Sequence, residues 1–251
     1  MDLGLSGRTY IITAGSRGLG NASARVLISE GANVVLTSRN AEDAQEAAEQ
    51  LGSRAYGLAA DNADPRTPAR LISAAHERFG SLDGILISVG GPPAGGVTQM
   101  TDEQWQSAFD SVFLGATRLA REVAETLDDG GSITFVLSGS VKSPISGLAI
   151  SNGLRPGLAM VAKTLADELG PRGIRANGLL PGRVNTARIQ ELDAVGGDPE
   201  AARKKMTAAI PLGRYGDPAE FGRTAAFLMS PAASYLNGVM LPVDGGASRS
   251  L

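Results

Sequence analysis

Cysteine is absent from the 251-residue chain, and histidine occurs only once. Without cysteine the chain can form no disulfide, no thiol nucleophile and no thiolate-bound metal site. The single histidine, His76, lies in AAHERFG at the polar end of a predicted helix. This favours an ordinary surface side chain and excludes a metal site with several histidines, so we predict no metal. The lack of cysteine also fits a cytoplasmic protein, because disulfides belong to oxidising compartments.

The chain also lacks a strong charge of either sign and any long apolar run. Its net charge is -3 and its isoelectric point is about 5.3, so no global positive field attracts nucleic acid or an anionic membrane. No apolar run reaches the roughly 18–20 residues of a membrane span. The opening MDLGLSGRTY lacks the pattern of a secretory signal. We expect neither nucleic acid nor a membrane as a partner.

Short β-branched or aliphatic runs alternate with longer helical patterns along the chain. This alternation is typical of a parallel sheet with crossover helices. A hydrophobic content of 43% over this length suffices for one large core. We therefore predict an α/β fold in a single domain, residues 1–251. The predicted strands are 9–13, 33–38, 55–59, 84–88, 132–137, 175–180 and 238–243. The predicted helices are 19–30, 41–51, 65–79, 102–127, 157–170 and 218–229.

The most informative motif is the glycine-rich stretch TAGSRGLG at residues 13–20. It follows a short apolar run and precedes an apolar-periodic segment, an order that predicts strand, turn and helix. Such a turn lets the backbone approach a pyrophosphate, and the N-terminus of the following helix offers unpaired N–H groups. The alternative is a glycine loop that only turns the chain. The residues assigned to nucleotide binding are Gly15, Ser16, Arg17, Gly18, Leu19 and Gly20.

The end of the second predicted strand indicates which nicotinamide dinucleotide is bound. Proteins that bind NAD place an acid there to hydrogen-bond the adenosine ribose, but this strand ends at Ser38 and is followed by Arg39. No carboxylate is present to repel a 2′-phosphate, and Arg39 and Arg17 can both donate to phosphate oxygens. Each arginine alone is more often a solvated surface charge. Together they favour NADP(H) over NAD(H).

Asp61 and Asn62 close the third predicted strand in the stretch LAADNAD. Asp61 is placed to accept a hydrogen bond from the adenine amine of a bound dinucleotide. Its alternative role is to cap the turn before Pro65. We assign both residues to the cofactor site.

Residues 186–210 are polar, contain Gly196, Gly197 and Pro199, and show no strand pattern. In an open α/β sheet this stretch would lie beyond the carboxyl end of a strand, where ligands bind. We interpret it as a mobile substrate lid and name it the lid segment. An exposed connecting helix is the alternative.

Three longer stretches carry a resemblance to a known family: KTLADELGPRGIRANGLLPGRVNT at 163–186, PLGRYGDPAEF at 211–221 and LPVDGG at 241–246. With the N-terminal turn, they resemble the short-chain dehydrogenase/reductase family, of the type that includes 3-oxoacyl-carrier-protein reductases. The resemblance covers nearly the whole chain. It implies a Rossmann-type doubly wound parallel sheet of about seven strands with helices on both faces, assembled as a homotetramer or homodimer. It also implies a small-molecule carbonyl or alcohol substrate.

The resemblance assigns further cofactor contacts. Ser88 can keep one polar contact, and Gly90 leaves backbone room beside the cofactor ribose. The positions that match the segment packing on the nicotinamide and binding its carboxamide are Pro181, Gly182, Val184 and Thr186. Nucleotide binding is therefore expected to be retained.

The active-site positions depart from the family pattern. The family uses a Tyr-x-x-x-Lys pair, a serine thirteen residues before the tyrosine, and an asparagine on the preceding long helix. Here Ser151 and Arg155 occupy the tyrosine and lysine positions, and Val112 occupies the asparagine position. Only the serine, Ser138, is retained. The usual proton donor is therefore missing.

The missing tyrosine matters because carbonyl reduction needs a proton donor to the developing alkoxide. A serine hydroxyl is a far weaker acid than a tyrosine, whose ordinary pKa is about 10. Arg155 stays charged, although it can stabilise an oxyanion. Lys142 is the leading substitute donor, directly or through water, and Ser140 is a second candidate. The alternative for Lys142 is a surface lysine in a loop.

Gly153, Pro156 and Gly157 fall where the family's active-site helix normally begins. Proline inside a helix removes a hydrogen bond and clashes with the preceding turn, but is tolerated in the first turn. We therefore expect this helix to start at or near Pro156, or to bend there. Ser151 and Arg155 would then be displaced from the family positions.

Three functions remain open on the sequence. The first is an NADP(H)-dependent oxidoreductase that acts on a carbonyl or secondary alcohol with a non-standard proton donor, as the retained cofactor-side residues indicate. The second is a nucleotide-binding sensor, regulator or assembly partner that has lost catalysis, because three of the four family positions have changed. The third, favoured least, is non-redox chemistry such as lyase or dehalogenase action.

Overall fold

Seven parallel strands form one sheet in the computed structural model, which describes residues 1–194 and 197–250. Their order across the sheet is β3-β2-β1-β4-β5-β6-β7. All seven predicted strands are confirmed, with ends that differ by at most two residues. The strands are β1 (Thr9–Ile12), β2 (Asn33–Ser38), β3 (Ala55–Ala59), β4 (Gly84–Ile87), β5 (Ser132–Val136), β6 (Arg175–Pro181) and β7 (Met240–Val243).

Helices connect successive strands, as parallel pairing requires. Within the described residues, no helix combines the length and apolar character that a membrane crossing needs. The helices are α1 (Gly18–Ser29), α2 (Ala41–Leu51), α3 (Thr67–Phe79), α4 (Asp102–Ala108), α5 (Gly115–Thr126), α6 (Ala149–Leu169), α7 (Ala187–Ala194), α8 (Pro199–Ala208) and α9 (Pro218–Met229).

The strand order reverses at β1, which pairs with β2 on one side and with β4 on the other. Thr13 joins the two sides just beyond the strand ends. Its Oγ1 donates to the carbonyl oxygen of Ser88 at 2.5 Å and accepts from the Ser88 N–H at 2.8 Å. Such a reversal leaves a crevice outside the carboxyl ends of the strands, where open α/β sheets bind ligands. The glycine-rich turn lies at this crevice.

Helices cover both faces of the sheet, and the strands are accordingly apolar on both faces. In β4 every residue is buried. One core lies against α3 and α5, with Leu71 and Leu119 fully buried. The other lies against α1 and α9, with Leu27 and Phe221 fully buried. Burial on both faces is what parallel crossovers produce, and the predicted doubly wound α/β fold is confirmed.

The predicted helix 102–127 is present but interrupted. Thr101 caps α4, because its Oγ1 accepts the N–H of Gln104 at 3.3 Å. A π-helical segment, Phe109–Leu114, separates α4 from α5. Gly115 begins α5, and a Cβ there would clash with the carbonyl oxygen of Asn62. Glycine therefore lets this helix pass close to one of the predicted cofactor residues.

The helix that carries Ser151 and Arg155 begins earlier than predicted. α6 contains Pro156 in its interior, so the predicted start near that proline is wrong. Contacts outside the helix hold its first turns: the Asn152 side chain donates to the Ile145 carbonyl at 2.9 Å and accepts the Ile145 N–H at 3.0 Å. These bonds offset part of the cost of the proline. Ser151 and Arg155 consequently lie inside the helix, on one face.

Replacing Pro156 by alanine is expected to stabilise the protein. Proline in a helix interior costs about 3 kcal/mol relative to alanine, and the added freedom of the unfolded alanine chain removes about 0.4–1 kcal/mol of that gain. The contacts between Asn152 and Ile145 already relieve part of the strain at Pro156, which reduces the expected gain in stability further. We expect Pro156→Ala to raise the free energy of unfolding by about 1–2 kcal/mol in a urea titration.

Pro218 supplies the matched control, because it is the first residue of α9, where a helix needs no N–H donor. Pro218→Ala should leave the free energy of unfolding unchanged or slightly lower. An equal gain in both variants, or none in Pro156→Ala, contradicts this account of α6.

Candidate active site

The glycine-rich turn between β1 and α1 packs too closely for side chains at two positions. A Cβ on Gly15 would lie 2.8 Å from a side chain of β2, and one on Gly20 would lie 2.5 Å from the carbonyl oxygen of Ala14. Gly18 has a φ of +59°, in the left-handed region that favours glycine. The Gly15 N–H donates to the Thr37 carbonyl at 2.8 Å. The turn is thereby drawn against β2, as a dinucleotide-binding turn requires.

The N-terminus of α1 presents its N–H groups to the crevice. Arg17 occupies the N-cap position, its side chain makes no capping hydrogen bond, and the first turn contains no acidic residue. Ser16 and Leu19, the other predicted members of the turn, are partly buried. Uncapped N–H groups and the positive end of the helix dipole favour a negatively charged ligand. This geometry fits a pyrophosphate.

Arg17 and Arg39 lie at the same edge of the sheet, one after β1 and the other after β2. The two strands are adjacent and parallel, so each delivers the residues that follow it to the carboxyl edge. Both side chains are exposed, and within the described residues neither makes a hydrogen bond or an ion pair. Ser38 ends β2, and its Oγ accepts the N–H of Asn40 at 3.3 Å. Two guanidinium groups without acidic partners thus border the turn.

Asp61 and Asn62 follow β3 and have local partners. The Asp61 Oδ1 accepts the N–H of Ala63 at 3.0 Å, which is the turn-capping alternative that the sequence raises. Asn62 donates from Nδ2 to the carbonyl of Ser88 at 3.4 Å and so links the chain after β3 to the chain after β4. Asp61 is exposed, and its contact with adenine stays a prediction.

Ser88 and Gly90 border the crevice on the β4 side. Ser88 is buried, and its backbone groups make the contacts with Thr13 described above. Gly90 is exposed, and a Cβ there would meet no atom within 4 Å. The space beside Gly90 is therefore open to a ligand.

The segment after β6 runs toward the glycine-rich turn. Pro181 ends β6, and Gly182 approaches the chain after β7 so closely that a Cβ would lie 2.6 Å from a neighbouring Cβ. Val184 forms an isolated bridge with the loop before α9. The Thr186 methyl lies 3.9 Å from the position of a Cβ on Gly18. The predicted nicotinamide segment and the predicted phosphate-binding turn thus face each other.

Three serines converge where β5 ends and α6 begins. The Ser138 Oγ accepts the N–H of Ser140 at 3.2 Å, and the Ser140 Oγ lies 3.2 Å from the Ser151 Oγ. Ser140 and Ser151 are buried, whereas Ser138 is partly exposed. Among the described residues the Ser138 Oγ accepts this bond and donates none, so its proton is available to another oxygen. The structure therefore brings the retained serine and the serine at the tyrosine position together.

Arg155 is a buried cation that binds the backbone. It is 6% exposed, and its Nη1 donates to the carbonyl oxygens of Val136 at 2.8 Å and Leu137 at 3.1 Å. Burial lowers the pKa of Arg155 to about 10, so the guanidinium stays protonated at neutral pH. It holds the end of β5 in place and leaves a positive charge beneath Ser138, the next residue along the chain.

Val112 and Lys142 complete the set of predicted active-site positions. Val112 lies in the π-helical segment and is 2% exposed, so the asparagine position contributes an apolar side chain. Lys142 follows a short 3-10 turn, Gly139–Val141, and is exposed. Its backbone N–H donates to the Gly139 carbonyl at 3.0 Å. This turn fixes the base of the lysine side chain on the same loop as Ser138.

The described part of the lid segment consists of α7 and α8, while Gly196 lies outside the described residues. A buried carboxylate anchors α7. Asp193, 5% exposed, accepts from Arg183 at 2.8 Å and from the Tyr215 hydroxyl at 3.0 Å. Burial and the Asp193 hydrogen bond raise the pKa of Tyr215. No local motif in the sequence indicates this cluster, because its members are at least ten residues apart.

A parallel sheet that reverses at a glycine-rich turn is the architecture of a dinucleotide-binding protein. Residues 13–248 match the family model described as enoyl-(acyl carrier protein) reductase. The chain belongs to the short-chain dehydrogenase/reductase family of oxidoreductases, as its motifs predict.

Similar proteins are named as reductases and dehydrogenases. The chain is 28% identical over 246 residues to the 3-oxoacyl-[acyl-carrier-protein] reductase FabG of Vibrio cholerae, across 97% of this chain and 98% of the relative. It is 31% identical over 253 residues to the L-rhamnose 1-dehydrogenase (NAD(P)(+)) of Azotobacter vinelandii, across 95% and 96%. The crystal structure of L-sorbose reductase from Gluconobacter frateurii, complexed with NADPH and L-sorbose, matches 100% of both chains with a TM-score of 0.93 and 30% identity. The protein is accordingly an oxidoreductase of the CH–OH/C=O type.

Ala14 provides a test of backbone strain in the turn. Its φ of +49° lies in the left-handed region, where a residue with a Cβ costs about 1–2 kcal/mol. Glycine removes this cost but frees the unfolded chain, so we expect Ala14→Gly to raise the free energy of unfolding by up to about 1 kcal/mol. A urea titration measures the change.

Ala60 is the matched control, because it is buried directly after β3 and has no positive φ. Ala60→Gly should lower the free energy of unfolding by about 0.5–1 kcal/mol. Equal losses in the two variants would show that the turn is not strained at Ala14.

Proposed function

We propose that the protein is an NADP(H)-dependent reductase or dehydrogenase that interconverts a carbonyl compound and its secondary alcohol, with a proton donor other than tyrosine. The observation that carries the proposal is the pair of exposed guanidinium groups, Arg17 and Arg39, at the glycine-rich turn. Neither has an acidic partner in the described chain, and Ser38 ends β2 where NAD-binding proteins place an acid. The NADPH complex of the similar L-sorbose reductase supports the same choice of cofactor.

The residues of the crevice fit this dinucleotide. The tight packing at Gly15 and Gly20 leaves the backbone open to a pyrophosphate at the start of α1. Arg17 and Arg39 would hold the 2′-phosphate, and Thr186 would hold the carboxamide. A bound nicotinamide supplies or accepts the hydride. Asp61 and Asn62 complete the adenine side, and Ser88, Gly90, Pro181, Gly182 and Val184 the nicotinamide side.

The chain's own residues would position the carbonyl and supply the proton. Ser138 would donate a hydrogen bond to the substrate oxygen, since the backbone bond that its Oγ accepts holds the hydroxyl in place and leaves its proton available. Arg155 holds the backbone next to Ser138 and places a cation beneath the developing alkoxide. Lys142, whose ammonium carries three protons, donates the proton directly or through one water. Ser151 supports the loop through its contact with Ser140.

The proposal also covers the assembly of the protein and its location in the cell. Residues 1–251 would act as one domain, with the lid segment over the substrate, in a cytoplasmic homotetramer or homodimer. The family motifs along the chain support the assembly, and the absence of cysteine is compatible with a reducing compartment.

The choice of NADP(H) is tested at the two arginines. Charge-assisted hydrogen bonds to phosphate contribute about 1.5–3 kcal/mol each, so Arg17→Met and Arg39→Met should each weaken NADPH binding about 10-fold or more. NADH lacks the 2′-phosphate, and its affinity should change little. Fluorescence titration of the nicotinamide measures both. Arg121→Met, in an exposed arginine of α5, should change neither affinity. Equal losses for the two dinucleotides contradict the proposal.

The proton donor is tested at Lys142. General acid catalysis contributes about 10²–10⁴-fold, so Lys142→Met should lower kcat by about 10²-fold or more while the affinity for NADPH stays the same. Lys163→Met, in an exposed lysine of α6, is the control. Unchanged turnover of Lys142→Met excludes lysine as the donor. Tight NADPH binding by the wild-type protein, with no turnover of any ketone, quinone or imine, would instead indicate a nucleotide-binding protein without catalysis.

A further inference from the structure

Arg188 reaches from the lid segment to the loop after β4. Its Nη2 donates to the carbonyl oxygen of Pro92 at 3.3 Å, and its Nε lies 3.1 Å from the position that a Cβ on Gly91 would take. Glycine at position 91 therefore makes room for the guanidinium. Arg188 follows Thr186 by two residues, so the guanidinium lies at the predicted nicotinamide end of the crevice.

The loops that border this end of the crevice are joined. The Gly95 N–H donates to the Gly147 carbonyl at 2.7 Å, and the Ala149 N–H donates to the Gly95 carbonyl at 3.1 Å. The loop after β4 therefore lies against the loop that leads from Ser138 to α6. Arg188 contacts the same β4 loop at Pro92. The loop that Arg188 contacts is therefore joined to the loop that carries Ser138 and Lys142, and we name the space between these segments the cleft.

The two loops that border this cleft carry one cation and no carboxylate. The loop 88–96 contains no charged residue, and the loop 138–148 contains only Lys142. Beneath them, the Arg155 guanidinium binds carbonyl oxygens and has no carboxylate partner among the described residues. On α7, Glu191 is an exposed acid near Arg188. Among the described residues, Glu191 is thus the carboxylate that pairs with Arg188.

Two other charged groups of the lid segment, Asp193 and Arg203, contact side chains in the loops after β6 and before α9. Asp193 is paired with Arg183 at 2.8 Å and does not neutralise Arg188. Arg203 lies over the Tyr215 ring, with 4.6 Å between the guanidinium carbon and the ring centre. These contacts anchor α7 and α8 to the segments that carry Arg183 and Tyr215, whereas Arg188 contacts the loop after β4.

Arg188 is held only weakly where it lies. Its hydrogen bond to Pro92 is long, at 3.3 Å, and its ion pair with Glu191 is exposed and 3.4 Å long. Exposed pairs of this kind contribute little. An anion that offers two oxygens to the planar guanidinium would form a stronger bidentate pair. The present contacts can therefore be exchanged for a ligand.

We infer that Arg188 is a specificity-determining residue, and that the substrate carries an anionic group, a carboxylate or a phosphate, in addition to its carbonyl. The inference rests on the proposed function, because it concerns the same cleft. The Arg188 guanidinium would exchange its present contacts for the anion while Ser138 binds the carbonyl oxygen. Two such contacts determine how the carbonyl is oriented.

Binding of matched ligand pairs tests the inference without turnover. Calorimetry compares 3-oxobutanoate with its methyl ester, and dihydroxyacetone phosphate with dihydroxyacetone, on the protein saturated with NADP⁺, which cannot reduce them. The same titrations are repeated without dinucleotide. The anion is expected to bind at least 10-fold more tightly than its neutral partner in one pair, which separates a carboxylate from a phosphate. Arg188→Met should weaken that anion by about 10–100-fold and leave the neutral ligand unchanged.

Three further variants separate recognition from a structural role. Arg188→Lys should restore part of the affinity, because lysine keeps the charge but loses the bidentate geometry. Glu191→Gln should tighten binding of the anion about 2-fold, since it removes a competing carboxylate. Arg121→Met should change nothing.

Equal affinity for both members of both pairs overturns the inference, and so does an anion preference that survives Arg188→Met. Failure of the proposed function is recognised separately. Anion-selective binding that depends on Arg188, without consumption of NADPH, supports the inference and contradicts the reaction. Turnover of neutral carbonyls with no preference for anions supports the proposed reaction and contradicts the inference about the substrate.

Discussion

The hydrogen bonds between Thr13 and Ser88 tie the carboxyl end of β1 to that of β4, and the site is arranged around this junction. On one side, the glycine-rich turn is drawn against β2 and leads into an α1 terminus without a side-chain cap. On the other side, the chain runs past Gly90 toward the loop that Arg188 contacts. Because the sheet is parallel and reverses here, groups from β1, β2, β4, β5 and β6 meet at one edge.

Arg155 shows how this chain differs from the usual pattern of its family. A lysine at this position in a family member works beside a tyrosine, whereas the arginine here is buried and binds the carbonyl oxygens that end β5. Its burial without a carboxylate is costly, since a buried cation loses its hydration. Two carbonyl groups compensate in part, and the remaining positive charge favours an anion or a developing alkoxide in the cleft above it. The same charge supports both the proposed reaction and the proposed substrate class.

Local signals predicted most of the fold, and long-range contacts account for what they missed. Apolar runs bounded by glycine and proline predicted every strand, and TAGSRGLG predicted the position of the crevice. These signals act within a few residues of the chain. The predicted start of α6 was wrong because the proline rule considers only the helix itself, whereas the side chain of Asn152 binds Ile145 before the helix and offsets part of the proline's cost. No local pattern reveals that Asp193 pairs with Tyr215, 22 residues away, or that Arg188 reaches Pro92, 96 residues away. The parallel sheet delivers the residues assigned to cofactor and catalysis to one edge.

A crystal structure of the protein grown with NADPH would test the central claim most directly. The account predicts electron density for the pyrophosphate at the N-terminus of α1 and for the 2′-phosphate between the guanidinium groups of Arg17 and Arg39. The nicotinamide would lie between Thr186 and Ser138. A crevice that stays empty at saturating NADPH, or a dinucleotide whose 2′-phosphate points away from both arginines, would contradict it.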